Sequence, residues 1–238
     1  MLRRLAPPTA HLLVAIVVVV LVAAGAAPAA DARPRAAQVR PDPVLLVHGF
    51  RGSSSGWDAF VALLRAQGYR ESEIAAVDYP SDASNVDVAK LIAREADALR
   101  ARTDASRIDV VSHSMGAISS RYYLERLGGA ARVDAWVSLA GVNEGTVWAY
   151  GCYVLTPCRE MVPSSSILAE LGDRAPVGAT RYAAWWSPCD DLVVPRTNAE
   201  LTGAHNVQTA CLTHSDLRTD ATVLGEVIRF LRVPPRAS

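Results

Sequence analysis

Short apolar segments alternate with longer amphipathic ones from residue 43 onward, and this alternation restricts the fold more than any other feature of the sequence. Most of the short segments are apolar throughout, which is typical of parallel strands buried on both faces. Between them, Leu91, Ile92, Ala96 and Leu99 lie on one helical stripe. Strands and helices in alternation predict an α/β fold, in which helices cover both faces of a mostly parallel central sheet. The predicted strands are 44–47, 74–77, 108–111, 133–139, 180–186 and 207–211.

The first thirty residues (1–30) are predicted to be a secretory signal peptide and not part of the fold. Two arginines lie near the start, residues 12–24 are uninterruptedly apolar, and residues 27–29 form an A-x-A cleavage pattern. The alternative is a membrane anchor through residues 12–24, although a bilayer span takes about 20 apolar residues. Residues 31–42 then form an extended leader rich in Pro and Arg, and residues 43–238 form one folded domain.

Composition and charge exclude several classes of protein. The 238 residues are 50% hydrophobic with 24 basic and 24 acidic side chains, which excludes a disordered chain. Loss of the predicted signal peptide leaves 22 basic and 24 acidic side chains. Neutralising nucleic-acid phosphates takes an excess of Lys and Arg, whereas Lys90 is the only lysine here. We therefore expect a near-neutral monomer that does not bind nucleic acid.

One serine lies on a predicted strand-to-helix turn, in the sequence Ser-His-Ser-Met-Gly at 112–116. This context is typical of a nucleophile elbow, in which a tight turn presents the hydroxyl above the sheet and the first helix amides face a developing oxyanion. Gly116 suits such a turn, while Ser112 stands where the G-x-S-x-G form has glycine. The sequence therefore predicts Ser114 as a nucleophile.

A second loop with a possible catalytic role follows the first predicted strand, in the sequence His-Gly-Phe-Arg-Gly at 48–52. Its two glycines let the chain double back, which would leave the Phe50 amide pointing at a substrate carbonyl oxygen. The Met115 amide is the predicted partner, because an oxyanion hole uses more than one such donor. The alternative is an ordinary turn at the end of a strand.

An acid and a base are expected after later strands, in the order Ser, Asp, His. Asp190 and Asp191 both follow the predicted strand 180–186. We predict Asp190 as the acid because it comes first after the strand, while Asp191 is the alternative and otherwise a solvated loop or capping residue. His214 is the predicted base because it lies between the last strand and the last helix, whereas His205 precedes that strand and is expected at the surface.

Four cysteines, all after residue 150, are expected to close disulfides in an oxidising compartment. Four thiols allow three pairings, which the sequence does not separate. We favour Cys152 with Cys158, as a short local loop, and Cys189 with Cys211, because these two flank the predicted acid and base. Four free cysteines are the alternative. A zinc site is disfavoured because there is no C-x-x-C pair with a histidine at ligand spacing, and no metal or cofactor is predicted.

These segments resemble those of the α/β-hydrolase lipases, in particular the small secreted bacterial triacylglycerol lipases of the lipase A type. The similarity covers most of residues 43–232 and rests on the segments VLLVHGF, IDVVSHSMGAISSRYYLERLGG, WVSLAG, SPCDDLVV and NVQTACLTHSDL. It implies an α/β-hydrolase fold with a minimal lid or none, and hydrolysis of fatty acyl esters at a lipid interface or in solution. Carried over position by position, the family's catalytic groups fall on five residues: Ser114, Asp190, His214 and the amides of Phe50 and Met115.

Residues 142–178 are expected to supply an acyl-binding wall or a lid. We predict a rigid, partly open acyl groove with little interfacial activation, because a disulfide would stiffen this short segment; the alternative is that its aromatic residues are core. An acyltransferase or a polyester depolymerase would keep the same catalytic residues, and a surface binding module would remain if catalysis had lapsed. The apolar candidates for the wall are Trp148, Tyr150, Tyr153, Leu155 and Met161.

Overall fold

The structure of the protein is a computed structural model that describes residues 41–80, 82–176 and 178–233. The predicted signal peptide and residues 31–40 of the predicted leader lie outside these ranges. Six strands form one sheet in the order β2-β1-β3-β4-β5-β6, and every neighbouring pair is parallel. The strands are β1 (Val44–Val47), β2 (Ile74–Val77), β3 (Ile108–His113), β4 (Val133–Leu139), β5 (Arg181–Trp186) and β6 (His205–Gln208).

Six α-helices flank this sheet: α1 (Asp58–Ala66), α2 (Asn85–Thr103), α3 (Gly116–Arg126), α4 (Thr156–Met161), α5 (Ser166–Leu171) and α6 (Ala221–Leu231). Short 3-10 helices lie between them at Ser54–Trp57, Glu71–Glu73, Gly129–Ala131, Val147–Cys152, Arg196–Ala199 and Asp216–Arg218. Among the described helices, none is long and apolar enough to cross a bilayer, and the alternative anchor at 12–24 lies outside the described residues.

Two hydrophobic cores explain why the strands are apolar throughout. Leu45 and Val47 of β1 pack in one core with α2 and α3, whereas Val44 and Leu46 pack in the other with α1 and α6. Successive side chains of a strand point to opposite faces, so a strand covered on both sides needs apolar residues at every position. The predicted α/β class with helices on both faces is confirmed.

The prediction for the last strand is wrong in position, because β6 lies at 205–208 and not at 207–211. The amide of Thr209 makes the final sheet contact, 2.8 Å from the carbonyl oxygen of Trp186, and the chain then leaves the sheet toward a disulfide at Cys211. β6 is an edge strand whose residues are mostly exposed, so apolar residues do not indicate where it begins and ends. β3 also runs two residues further than predicted, and β5 begins one residue later.

The common direction of the strands separates the sheet into two chemically different edges. The carboxyl edge is the one where all six strands end, and the amino edge is the one where they begin. Phe50, Ser114, Asp190 and His214 follow β1, β3, β5 and β6 respectively. The parallel arrangement therefore brings residues that are up to 164 positions apart in the sequence to the carboxyl edge.

Candidate active site

Ser114 occupies a strained turn between β3 and α3. Its φ of 56° lies in the left-handed region, which non-glycine residues rarely adopt. A Cβ atom at Gly116 would lie 2.5 Å from the carbonyl oxygen of His48, so only glycine allows α3 to begin this close to the end of β1. Observed strain of this kind clusters at functional sites, because the surrounding structure must hold it in place.

Ser112 fills the position at which the G-x-S-x-G form has glycine, and its side chain is fully buried. The hydroxyl donates a hydrogen bond of 2.9 Å to the carbonyl oxygen of Val137 on β4. Since the added polar group has a partner, the turn keeps its shape without glycine at this position.

His214 and Asp190 form a buried pair. Nδ1 of His214 lies 2.9 Å from Oδ2 and 3.0 Å from Oδ1 of Asp190, and both side chains are almost fully buried. The amides of Leu192 and Val193 each donate to Asp190 Oδ1 at 2.9 Å. An acceptor-only carboxylate beside Nδ1 fixes the proton of the neutral imidazole on that nitrogen and leaves Nε2 as the basic atom.

Asp191 contacts the backbone of His214 and not its ring. Its Oδ1 accepts a 3.0 Å hydrogen bond from the His214 amide, and this bond lowers the pKa of the exposed Asp191 carboxyl. Of the two neighbouring aspartates, the structure therefore brings Asp190 to the imidazole and uses Asp191 to anchor the loop. The Asp-Asp doublet was the only signal of this second role in the sequence.

His113 contacts the backbone of the loop that carries His214, and the sequence did not predict this contact. Its Nε2 lies 3.0 Å from the carbonyl oxygen of His214, and the two ring centroids are 4.7 Å apart. Burial, reinforced by the nearby His214, lowers the pKa of His113 well below its usual range. The neutral ring therefore donates from Nε2 to that carbonyl.

The amides of Phe50 and Met115 are available beside Ser114. Among the residues that the structure describes, none accepts a hydrogen bond from either amide. The loop that carries Phe50 packs directly on the nucleophile elbow, since a Cβ atom at Gly49 would lie 2.7 Å from the Cβ of Ser114. The two amides are thus unpaired donors on neighbouring segments, as an oxyanion hole requires.

A cavity of about 370 Å³ opens above these groups and is lined by both Ser114 and His214. The described atoms include no hydrogen bond between their side chains, and such bonds often shorten only when substrate is bound. One part of the lining is apolar, and the other is polar or cationic. The apolar residues are Val142, Trp148, Met161, Leu192 and Val193, and the polar or cationic ones include His48, Arg51, Trp57 and Arg218.

Two disulfides join the four cysteines, in the pairing that the sequence analysis favoured. Cys189 immediately precedes Asp190, and Cys211 lies three residues before His214. The Cys189–Cys211 bond therefore ties together the two loops that carry Asp190 and His214. Cys152–Cys158 closes a loop beside the cavity, next to Trp148.

The segment 142–178 folds into short helices, and its aromatic residues are not core. Trp148, Tyr150 and Tyr153 are 45%, 57% and 50% exposed, so the alternative that assigned them to the core is wrong. Met161, by contrast, is buried between the cavity and the core. The segment thus contributes Val142, Thr146, Trp148 and Met161 to the cavity lining, and its three aromatic rings are about half exposed to solvent.

Three carboxylates cluster at the amino edge, at the opposite ends of the strands from the groups described so far. Oxygen atoms of Asp42, Asp109 and Asp134 lie within 4.8 Å of one another, which is close enough to surround a metal ion. Arg181 pairs with Asp134 at 2.6 Å, and Arg107 lies 3.7 Å from it. These guanidinium groups supply positive charge where a cation would have to bind.

Burial dominates the chemistry of this acidic cluster. It raises the pKa of Asp42 to about 6, with the charge of Asp134 adding to the effect. The same two causes, together with the charge of Asp42, raise the pKa of Asp109 well above its usual range. Asp42 and Asp109 therefore favour their protonated forms at mildly acidic pH.

Comparison with known proteins places the chain among hydrolases. A model of the alpha/beta hydrolase family matches residues 44–234. A lipase of Bacillus licheniformis in its mature form has 18% identity and a TM-score of 0.71, and the match covers 81% of this chain and 93% of the lipase. Lipase B of Aspergillus fumigatus has 17% identity and a TM-score of 0.69 over 82% of this chain and 53% of its own. Phospholipase PlaB from Legionella pneumophila has 14% identity and a TM-score of 0.64, with 81% and 60% covered.

Proposed function

Because this chain belongs to the α/β-hydrolase family, we propose that it hydrolyses carboxylic esters through Ser114, His214 and Asp190. The buried contact between His214 Nδ1 and Asp190 carries the proposal, because it leaves Nε2 as a base on the cavity that Ser114 also lines. A solvated loop would not need to bury an acid and an imidazole side by side.

In the first step, Nε2 of His214 takes the proton of the Ser114 hydroxyl as its oxygen attacks the ester carbonyl carbon. The carbonyl oxygen becomes an oxyanion, which accepts hydrogen bonds from the amides of Phe50 and Met115. Asp190 stabilises the imidazolium that forms and keeps the ring oriented. Collapse of this intermediate breaks the ester bond, and His214 returns the proton to the leaving alcohol.

In the second step, the acyl group on Ser114 is released by water. His214 takes a proton from the water, the resulting hydroxide attacks the acyl carbon, and the same two amides hold the second oxyanion. Ser114 then recovers its proton from His214, and a carboxylic acid leaves. The cycle needs only groups that this chain carries.

The apolar part of the cavity supports an acyl ester as substrate. Val142, Met161 and Leu192 line it on one side of Ser114, and their burial of an acyl chain would contribute roughly 0.8 kcal/mol per methylene group. The Cys152–Cys158 loop beside them supports a fixed wall with little interfacial activation. A steep rate increase at the critical micelle concentration of a long-chain ester would contradict the fixed wall.

Labelling with a fluorophosphonate probe tests the proposed nucleophile. The native protein should react covalently and lose activity toward p-nitrophenyl butyrate, and Ser114→Ala should abolish both labelling and hydrolysis. Ser112→Ala is the matched control, since this neighbouring hydroxyl is buried and bonded to Val137, and it should still label. Labelling that persists in Ser114→Ala would overturn the assignment.

The proposal includes export and folding in an oxidising compartment. Two disulfides support it, because such bonds persist outside the reducing cytosol. Amino-terminal sequencing of the protein from culture medium should find a start just after residue 29 or 30. Recovery of the intact chain in the membrane fraction would instead support an anchor at 12–24.

A further inference from the structure

The cavity combines an apolar wall with a cationic end that the proposed hydrolysis does not use. Arg51 and Arg218 both line it, and among its described lining residues none is acidic. The guanidinium of Arg51 lies over the Phe50 ring, 5.4 Å from its centre. Neither arginine forms an ion pair with any described residue.

Arg218 is the more informative of the two, because part of its guanidinium is buried without a partner. Its Nε atom is inaccessible to solvent and makes no hydrogen bond. The group lies against Gly56, where any side chain would collide with it. Buried donors normally have partners, and those of a charged group are the most costly to leave unpaired.

A second buried donor without a partner belongs to the residue that follows Gly56 in the sequence. Trp57, the residue after Gly56, lines the cavity, is fully buried, and has an Nε1 atom without a hydrogen-bond partner. Indole nitrogen can only donate.

We infer that Arg218 and Arg51 form a cationic subsite for an anionic group on the alcohol portion of the ester. The inference rests on the proposed function, and it narrows the substrate class to esters with an apolar acyl chain and a negatively charged alcohol. Under the proposed function the apolar lining residues bind the acyl chain, so the inference assigns the cationic residues to the alcohol portion. A phosphate or carboxylate there would pair with the guanidinium of Arg218, and Arg51 adds positive charge to the cavity lining.

Two esters that differ only in this charge test the inference: 1-butyryl-glycerol and its 3-phosphate. The native enzyme should have a kcat/KM about tenfold higher for the phosphate ester, mainly through a lower KM, because charge-assisted hydrogen bonds are roughly twice as strong as neutral ones. Arg218→Gln should lower this preference by about tenfold, and Arg218→Lys should restore part of it. The matched control is Arg229→Gln on α6, whose side chain is 72% exposed and should leave the preference unchanged.

Binding measurements separate the subsite from the chemistry. Glycerol 3-phosphate should bind to Ser114→Ala in a calorimetric titration and should bind more weakly when Arg218→Gln is added, while glycerol should not bind. If neither ester is hydrolysed but glycerol 3-phosphate binds through Arg218, the esterase function fails and the subsite stands. If both esters are hydrolysed equally and glycerol 3-phosphate does not bind, the subsite is overturned and the esterase function stands. Butyl hemisuccinate carries the anion on the acyl side. A higher kcat/KM for this ester than for 1-butyryl-glycerol 3-phosphate would overturn the assignment to the alcohol portion.

Discussion

The two edges of the β-sheet both bury carboxylates, but they stabilise them in different ways. At the carboxyl edge, Asp190 accepts hydrogen bonds from two backbone amides and lies against an imidazole. At the amino edge, Asp109 accepts one amide hydrogen bond on Oδ1, and its buried Oδ2 has no partner. Asp42 and Asp134 lie beside it and add like charge.

The two edges differ in the number of hydrogen-bond donors and acidic neighbours around each buried carboxyl group. A carboxylate with several donors keeps its charge inside a protein, whereas one with few donors and acidic neighbours gives up the charge by binding a proton. The carboxyl edge therefore places a carboxyl group with several hydrogen-bond donors beside an imidazole. The amino edge holds carboxyls whose raised pKa values couple stability to pH.

The largest effect is expected from Asp190→Asn at the carboxyl edge. The amide would keep the shape but place a donor against His214 Nδ1, so the ring would present the wrong tautomer to Ser114. We expect kcat toward p-nitrophenyl butyrate to fall by about 10³- to 10⁴-fold. Asp191→Asn is the matched control and should cost less than about tenfold, because it weakens one backbone contact. Equal losses in both variants would remove the functional distinction between the two aspartates.

The next effect concerns the covalent link that holds the carboxyl edge together. Replacing Cys189 and Cys211 by serine opens a loop with a sequence separation of 22, and the chain-entropy relation gives a loss of about 3 kcal/mol in unfolding free energy. The Cys152 and Cys158 pair, with a separation of 6, should give about 2 kcal/mol in the same urea titration. Only the first pair of substitutions should also reduce kcat strongly, and loss of kcat in both would contradict a special role for the first bond.

A smaller effect is expected at the elbow, from Ser112→Gly. This change restores the glycine of the G-x-S-x-G form but removes the hydrogen bond to Val137 and adds freedom to the unfolded chain. We expect a loss of about 1–2 kcal/mol in unfolding free energy and a kcat within about threefold of the native value. A large gain in kcat would show that the serine impairs the elbow.

The smallest effect is expected at the amino edge, from Asp42→Asn. This substitution should raise the stability of the protein, whereas the preceding ones lower stability or activity. Because the folded-state pKa of Asp42 is raised to about 6, the native state binds more protons than the unfolded state between about pH 4 and pH 6, and stability falls as the pH rises through that window. The amide cannot ionise, so the variant should melt about 2–4 °C higher than the native protein at pH 7 and show little difference at pH 4.

Asp87→Asn is the control for that measurement. Lys90 and Ser84 lower the pKa of this exposed carboxyl, so its ionised form stabilises the folded state at neutral pH and is lost as the pH falls. The variant should therefore melt slightly lower than the native protein at pH 7. A gain of stability in both variants would indicate a general effect of charge and not of burial at the amino edge.

Sequence patterns predicted the parts of this fold that burial determines. The bounds of β1, β2 and β4 match the predicted ranges, because each of these strands is predominantly apolar and packs against the cores. The edge strand β6 did not follow this rule, and its position is set by pairing with β5 and by the departure toward Cys211. Apolar content is a weak guide wherever one side of a strand meets water.

The sequence predicted those site residues whose place follows from the order of strands, turns and helices along the chain. It did not predict contacts that depend on how the loops pack. A turn after one strand and polar residues after later strands are enough to select Ser114, Asp190 and His214 as candidates. The contacts of His113 and Asp191 with the His214 backbone depend on how loops pack, which no local pattern records. The acidic cluster was missed for the same reason, since Asp42, Asp109 and Asp134 meet only when three strand starts lie side by side.

The bond between Cys189 and Cys211 has a consequence for where the protein can become active. Newly made chains in a reducing cytoplasm would lack this tether, so their two loops would sample many arrangements and the base would seldom meet its acid. If the chain is exported and hydrolyses esters as proposed, formation of this disulfide after export would raise its activity. Recombinant preparations should accordingly gain specific activity when moved from a thiol-reducing host compartment to the periplasm or to an oxidative refolding buffer.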